Sequence, residues 1–111
     1  MERKSIEFRG SARDDLRAFP QAVRREAGFQ RDRVQCGLEP ENWKPMNTIG
    51  AGVREIRITD AAGAFRVMYV AKFASALYVL HCFQKKTQRT RDSDVDLAAR
   101  RYRELVRELR S

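Results

Sequence analysis

The sequence predicts an α+β fold in a single domain over residues 1–111. Three observations carry this. Residues 11–37 hold apolar side chains at helical spacing. Residues 53–83 hold three short apolar or alternating runs separated by turn residues. The final stretch returns to helical spacing, with Val95, Ala98, Tyr102, Leu105, Val106 and Leu109 on one face.

Each element has its own reason. Lys4-Ser5-Ile6-Glu7-Phe8 alternates polar and apolar and predicts a short strand. Ser11 opens a helix, with Asp14 three residues on as a loose capping box. Pro20 ends that helix and is placed to open a second one. Val23, Ala27 and Val34 share a face of the second helix, and Gly37 stops it. The stretch from Glu39 to Gly52, with two Pro and two Gly, reads as a loop.

Three strands follow. Residues 53–59 alternate, Asp60-Ala61-Ala62-Gly63 is a turn, residues 64–71 form a second strand and residues 76–83 a third. Such short connections force antiparallel neighbours. The third strand is apolar on both sides, which predicts a central strand covered on each face. Asp92, Ser93, Asp94 and Asp96 supply a cap and negative charge at the start of the last helix, where the helix dipole favours it.

Composition narrows the function. The chain carries 23 Lys+Arg against 15 Asp+Glu, a net charge of +8, and 18 of those cations are Arg. Arg presents a planar fork of donors that suits phosphate, so the excess points to an anionic partner such as nucleic acid. The excess is greatest in residues 85–111, with nine cations against five acids. No apolar run is long enough to span a bilayer. The charged start Met1-Glu2-Arg3-Lys4 is not followed by the apolar stretch of a secretory signal. Cys36 and Cys82 lack metal-ligand spacing and read as two small apolar residues in a reduced cytoplasm. There is no Gly-rich phosphate loop, and no cofactor or metal is expected.

Strand alternation places the charges. Glu55 and Arg57 share one face of the first middle strand, and Ile56 and Ile58 the other. On the second, Phe65, Val67 and Tyr69 share a face and Arg66 points away from them. An Arg inside so apolar a strand needs either a salt bridge to Glu55, an exposed sheet face, or an anionic ligand. The third strand runs into Lys85-Lys86-Thr87-Gln88-Arg89-Thr90-Arg91, where cations alternate with hydroxyl and amide donors suited to a sugar-phosphate backbone. The single histidine, His81, is assigned to the face of Leu77, Val79 and Phe83. With no second His, a two-histidine acid/base pair is excluded. A general acid or base must come from Glu55, His81, a Lys with lowered pKa, or the substrate.

Several of these segments occur together in a known family. Trp43-Lys44-Pro45-Met46, then Gly52-Val53-Arg54-Glu55-Ile56-Arg57-Ile58, Gly63-Ala64-Phe65-Arg66-Val67-Met68-Tyr69-Val70 and Leu80-His81-Cys82-Phe83-Gln84-Lys85-Lys86-Thr87-Gln88 resemble the phage-derived, HigB-like branch of the RelE/ParE toxins. The resemblance runs from Ile6 to about Leu105. It implies two N-terminal helices packed on an antiparallel sheet of about four strands, with a C-terminal helix. It implies a toxin of a type II toxin–antitoxin pair, acting as a metal-independent, ribosome-dependent mRNA endoribonuclease in the cytoplasm. The implied partners are the ribosome, mRNA and a neighbouring antitoxin, often a helix-turn-helix protein, with no membrane.

Carried over by motif, Arg57, Arg66 and Lys85 or Lys86 would surround the scissile phosphate, with Glu55 and His81 as candidate bases. Arg54, Thr87, Gln88, Arg89 and Arg91 would contact RNA. Two departures stand out. Glu55 takes the place of a Lys that RelE-type enzymes carry, and the RNA-stacking tyrosine has no match, Tyr102 lying on the apolar face of the last helix. The same fold also serves ParE-like gyrase inhibitors without catalysis, and a non-catalytic nucleic-acid-binding regulator is a third reading.

Overall fold

The computed structural model describes residues 3–111; Met1 and Glu2 of the charged start lie outside the described residues. The chain runs β1 (Ile6–Phe8), α1 (Ala12–Arg17), α2 (Gln21–Gln35), β2 (Trp43–Pro45), β3 (Val53–Asp60), β4 (Gly63–Val70), β5 (Leu77–Lys85) and α3 (Asp92–Arg110). Among the described residues the strands form one mixed sheet in the order β1-β5-β4-β3-β2. β1 pairs parallel with β5, and the other pairs are antiparallel. The fold is therefore α+β, but the sheet has five strands and a parallel edge rather than about four antiparallel ones. The difference lies in two three-residue edge strands. β1 lies on the outer side of β5, with the α1–α2 segment leading from it to β2 at the opposite edge, and β2 lies inside the stretch read as a loop.

Helices cover both faces of the sheet. On one side Phe19, Val23, Ala27 and Val34 of the α1–α2 segment pack on Ile56, Ile58, Phe65, Val67, Tyr69, Leu77 and Val79. On the other, Ala98 and Leu105 of α3 pack on Val53, Met68, Val70, Tyr78, Leu80 and Phe83. Each such large apolar side chain contributes about 1.5–3 kcal/mol on burial. From Leu77 to Phe83 every residue of β5 is buried, as a central strand requires.

Three local expectations are corrected. A register shift between Met68 and Tyr69 leaves Leu80 as an extra residue on β5: Tyr69 opposes Val79, yet Met68 opposes His81. Alternation restarts beyond this bulge. His81 and Phe83 therefore lie on the α3 side, opposite to Leu77 and Val79. The α1 capping box does not form, because the Ser11 hydroxyl bonds the Asp15 carboxylate at 2.7 Å rather than a backbone N–H. The aspartates at the α3 start do not cap it either: Arg91 is the N-cap residue, Asp92 pairs with Arg89 at 3.0 Å, and Asp94 reaches His81.

The β3–β4 connection does follow the sequence. Two residues, Ala61 and Ala62, link Asp60 to Gly63, and the Ala62 N–H donates to the Asp60 carboxylate at 3.0 Å. Gly63 sits at φ +134°, a conformation that side chains with a Cβ rarely adopt. This turn sets the register that brings Arg57 opposite Arg66.

Candidate functional site

Register builds a patch of charge on the α3 side of the sheet. One row across the strands reads Lys44, Glu55, Met68, His81. The next reads Arg57, Arg66, Phe83, and the third Thr59, Ala64, Lys85. Arg57 and Arg66 are direct cross-strand neighbours. Like charges in that position are destabilising. A fold that tolerates them here either gains from an internal acid or presents them to an external anion.

The internal acid is Glu55, only 1 % exposed, with Arg66 at 5 %. Arg66 Nε faces Glu55 Oε1 at 3.4 Å, and Arg66 Nη1 donates to the Phe65 carbonyl at 3.0 Å. Of the two alternatives left for Arg66 within the protein, the salt bridge forms. It is incomplete: the Arg66 Nε and Glu55 Oε2 atoms are buried without hydrogen bonds. One carboxylate is left among four cations: Lys44, Arg57, Arg66 and Lys85. Burial lowers the Arg66 pKa from its ordinary value; Glu55 opposes that shift and Arg57 adds to it. Lys85 is held below the ordinary lysine value, first by desolvation and then by Arg66, with Arg57 and Lys44 adding and Glu55 opposing. Glu55 thus anchors Arg66 in place, while Arg57 and Lys85 are half-buried and Lys44 is exposed.

The other expected residues divide by position. Lys86, Thr87 and Arg91 join Phe83, Gln84, Lys85 and Asp94 around a cavity of about 150 Å³ at the end of β5. This cavity adjoins the charged rows through Phe83 and Lys85. Gln88 is exposed on the same connection, and Arg89 is engaged with Asp92. His81 Nε2 lies 2.7 Å from Asp94 Oδ1, and its ring stacks on Phe83 at 4.8 Å, so it ties β5 to the first turn of α3. Its Nδ1 is buried without a partner. Arg54 lies on the opposite face, over the Trp43 ring at 4.1 Å and 3.8 Å from Glu39. It does not join the cluster. Both cysteines are free; burial pushes the Cys82 thiol up to about 12. Among the described residues no group of three His, Cys, Asp or Glu side chains is placed to hold a metal ion.

A family model described as phage derived protein Gp49-like (DUF891) matches residues 14–103. The chain belongs to this Gp49-like family. No curated protein matches it. Membership is compatible with a toxin of a toxin–antitoxin system. In this Gp49-like chain the matched span holds every residue of the cationic rows and of the adjoining cavity. No helix among the described residues is long and apolar enough to cross a membrane.

Lys44 is the site residue that sequence reasoning missed. It was hidden in a Pro- and Gly-rich stretch whose only strand is Trp43-Lys44-Pro45. The available signal was the contrast of Trp43 and Lys44, one side chain for each face of an edge strand.

Proposed function

We propose that this Gp49-like protein is the toxin of a type II toxin–antitoxin pair. It acts in the cytoplasm as an mRNA endoribonuclease on the ribosome and is neutralised by a neighbouring helix-turn-helix antitoxin. The observation that carries this reading is the cluster of Lys44, Arg57, Arg66 and Lys85 around one buried acid on a single sheet face. RNA needs no external nucleophile for cleavage. The 2′-oxygen bonds to phosphorus, the bond from phosphorus to the 5′-oxygen breaks, and the products are a 2′,3′-cyclic phosphate and a 5′-hydroxyl. One proton leaves the 2′-hydroxyl and one goes to the departing oxygen.

The cluster fits the parts of that reaction. Lys85, held below its ordinary pKa, releases its proton more readily than a free lysine, which supports it as the group that takes the 2′-proton. Arg57 and Arg66 stabilise the extra negative charge on the phosphorane, and preorganised cations of this kind act without a metal. Lys44 and Lys86 hold flanking phosphates. Glu55 orients Arg66, and His81 and Asp94 hold the end of β5 against α3.

The test is primer extension on a reporter mRNA translated in a purified system. The wild-type protein is expected to cut within codons during translation. Arg57→Gln, a half-buried position, is expected to lower the cleavage rate by roughly 10²–10³. Undiminished cleavage by Arg57→Gln and Arg66→Gln would remove these residues from the mechanism. Growth arrest without RNA cuts would instead favour an inhibitor on the same fold.

A further inference from the structure

The cationic rows account for only part of the basic excess. A second concentration lies on α3. Arg100, Arg103, Arg107 and Arg110 follow one another at steps of three, four and three residues, and all four are exposed. At about 100° per residue they fall within roughly an 80° sector of the helix. That sector lies opposite Ala98 and Leu105, the buried residues of α3. The stripe is about 15 Å long at 1.5 Å per residue.

Its guanidinium groups are uncommitted. Arg101, between the first two, turns inward and donates to the Leu80 carbonyl at 2.9 Å and the Ser11 hydroxyl at 3.1 Å. Arg9 takes Glu108 on another flank. Among the described residues, none of the four stripe side chains makes a hydrogen bond or an ion pair. Two acids share the sector, both in the first turns of α3: Asp92, which pairs with Arg89, and Asp96.

We infer that the outer face of α3 is a docking surface for the phosphate backbone of double-stranded RNA, separate from the cationic sheet face. Charge complementarity and residue type support this occupant. Four arginines and no lysine match the bidentate geometry of phosphate. A protein helix would require apolar anchors in the same sector. The exposed Leu109 lies outside it; Ala99 borders it, and Val106 and Tyr102, which line a cavity of about 290 Å³ beside Arg103, Arg107 and Arg110, are half-buried and offer no projecting anchor. Single-stranded RNA would require aromatic platforms. The nearest ring, Tyr102, is half-buried with its hydroxyl tied to the Ala51 carbonyl at 2.9 Å. The inference rests on RNA being the substrate class proposed above, and it adds a site that holds structured RNA without cutting it.

The experiment uses the full chain and a 20-base-pair RNA duplex, with affinity followed by fluorescence anisotropy across a salt series. The variant Arg100→Gln/Arg103→Gln/Arg107→Gln/Arg110→Gln is compared with Arg13→Gln/Arg17→Gln/Arg24→Gln/Arg25→Gln, which removes the same charge from exposed positions on α1 and α2. With about 0.9 counterion released per neutralised phosphate, the α3 variant is expected to lose roughly three to four units of slope in log K against log salt. The α1–α2 variant is expected to keep its slope. Far-UV circular dichroism checks that both fold. Equal slopes for wild type and the α3 variant, or equal losses in the two variants, overturn the inference. Retained duplex binding with lost binding to poly-glutamate also overturns it, in favour of an acidic protein partner. Because no cleavage is read, failure of the nuclease proposal and failure of this one are separately visible.

Discussion

Glu55 offers the sharpest test of how the cationic face is held together. Glu55→Gln keeps the shape of the side chain and removes its charge, leaving the Arg66 guanidinium buried without its counter-ion. At the observed separation of 3.4 Å the Coulomb attraction is about 5 kcal/mol at an effective dielectric of 20. Three things reduce the net effect. The contact is not an aligned hydrogen bond, Glu55 Oε2 is already unpaired, and neutralising Glu55 relieves the desolvation of its own charge. A loss of about 2–3 kcal/mol follows, below the 3–5 kcal/mol typical of breaking a well-formed buried pair. For a chain of this length that lowers Tm by roughly 10 °C.

The assay is urea unfolding at neutral pH, followed by circular dichroism, on Glu55→Gln, Arg66→Met and the double variant. The cycle is expected to show a coupling of about 2 kcal/mol, with the double variant less destabilised than the sum of the singles. A coupling below about 0.5 kcal/mol refutes the reasoning, because it means that Glu55 does not hold Arg66.

Lys85 carries a pH signature. Its folded pKa is lowered from the ordinary 10.5, so between the folded and unfolded values the unfolded chain binds the extra proton. Stability contributed by this group therefore rises with pH through that window. The rise is expected to disappear in Lys85→Gln, checked by urea midpoints as the pH is raised toward the ordinary lysine value of 10.5. The same variant is expected to equal or exceed wild type in stability at neutral pH while losing activity, because it removes one member of a mutually repelling group. Asp94→Asn weakens the link from His81 to α3 and is expected to cost about 1 kcal/mol, with faster amide exchange confined to the first turn of that helix. Iodoacetamide is expected to label Cys36 in the native protein and Cys82 only on unfolding, since the Cys82 thiol is buried and sits near 12; peptide mass spectrometry distinguishes them. Gly50→Ala drives a Cβ into the Tyr102 ring and is expected to cost about 1–3 kcal/mol in thermal unfolding as that ring leaves its bond to Ala51.

Much of the site was legible because a strand alternates by a fixed rule. Glu55 and Arg57 on one face of β3, and Arg66 opposite Phe65, Val67 and Tyr69, followed from period two alone and lie where that rule puts them. The same rule failed at His81, because a single extra residue at Leu80 reverses every later side chain on β5, and no residue there announces a bulge. Lys44 was invisible for a related reason. A three-residue edge strand has too few positions to show a period, and Pro45 argues against it locally; only pairing with β3 makes it a strand. Arg54, adjacent to Glu55, faces the other way and meets Trp43 and Glu39.

By itself the sequence determined the α+β class, the two covered faces of β5, the hairpin at Gly63 and the cationic character of the chain. These depend on neighbours along the chain: periodicity, turn chemistry and net charge. Only the tertiary structure decided which cations meet. Convergence of Lys44, Arg57, Arg66 and Lys85 on Glu55 is a matter of cross-strand register. Register is set by hydrogen bonds and packing between segments far apart in sequence, and those leave no mark on either segment alone.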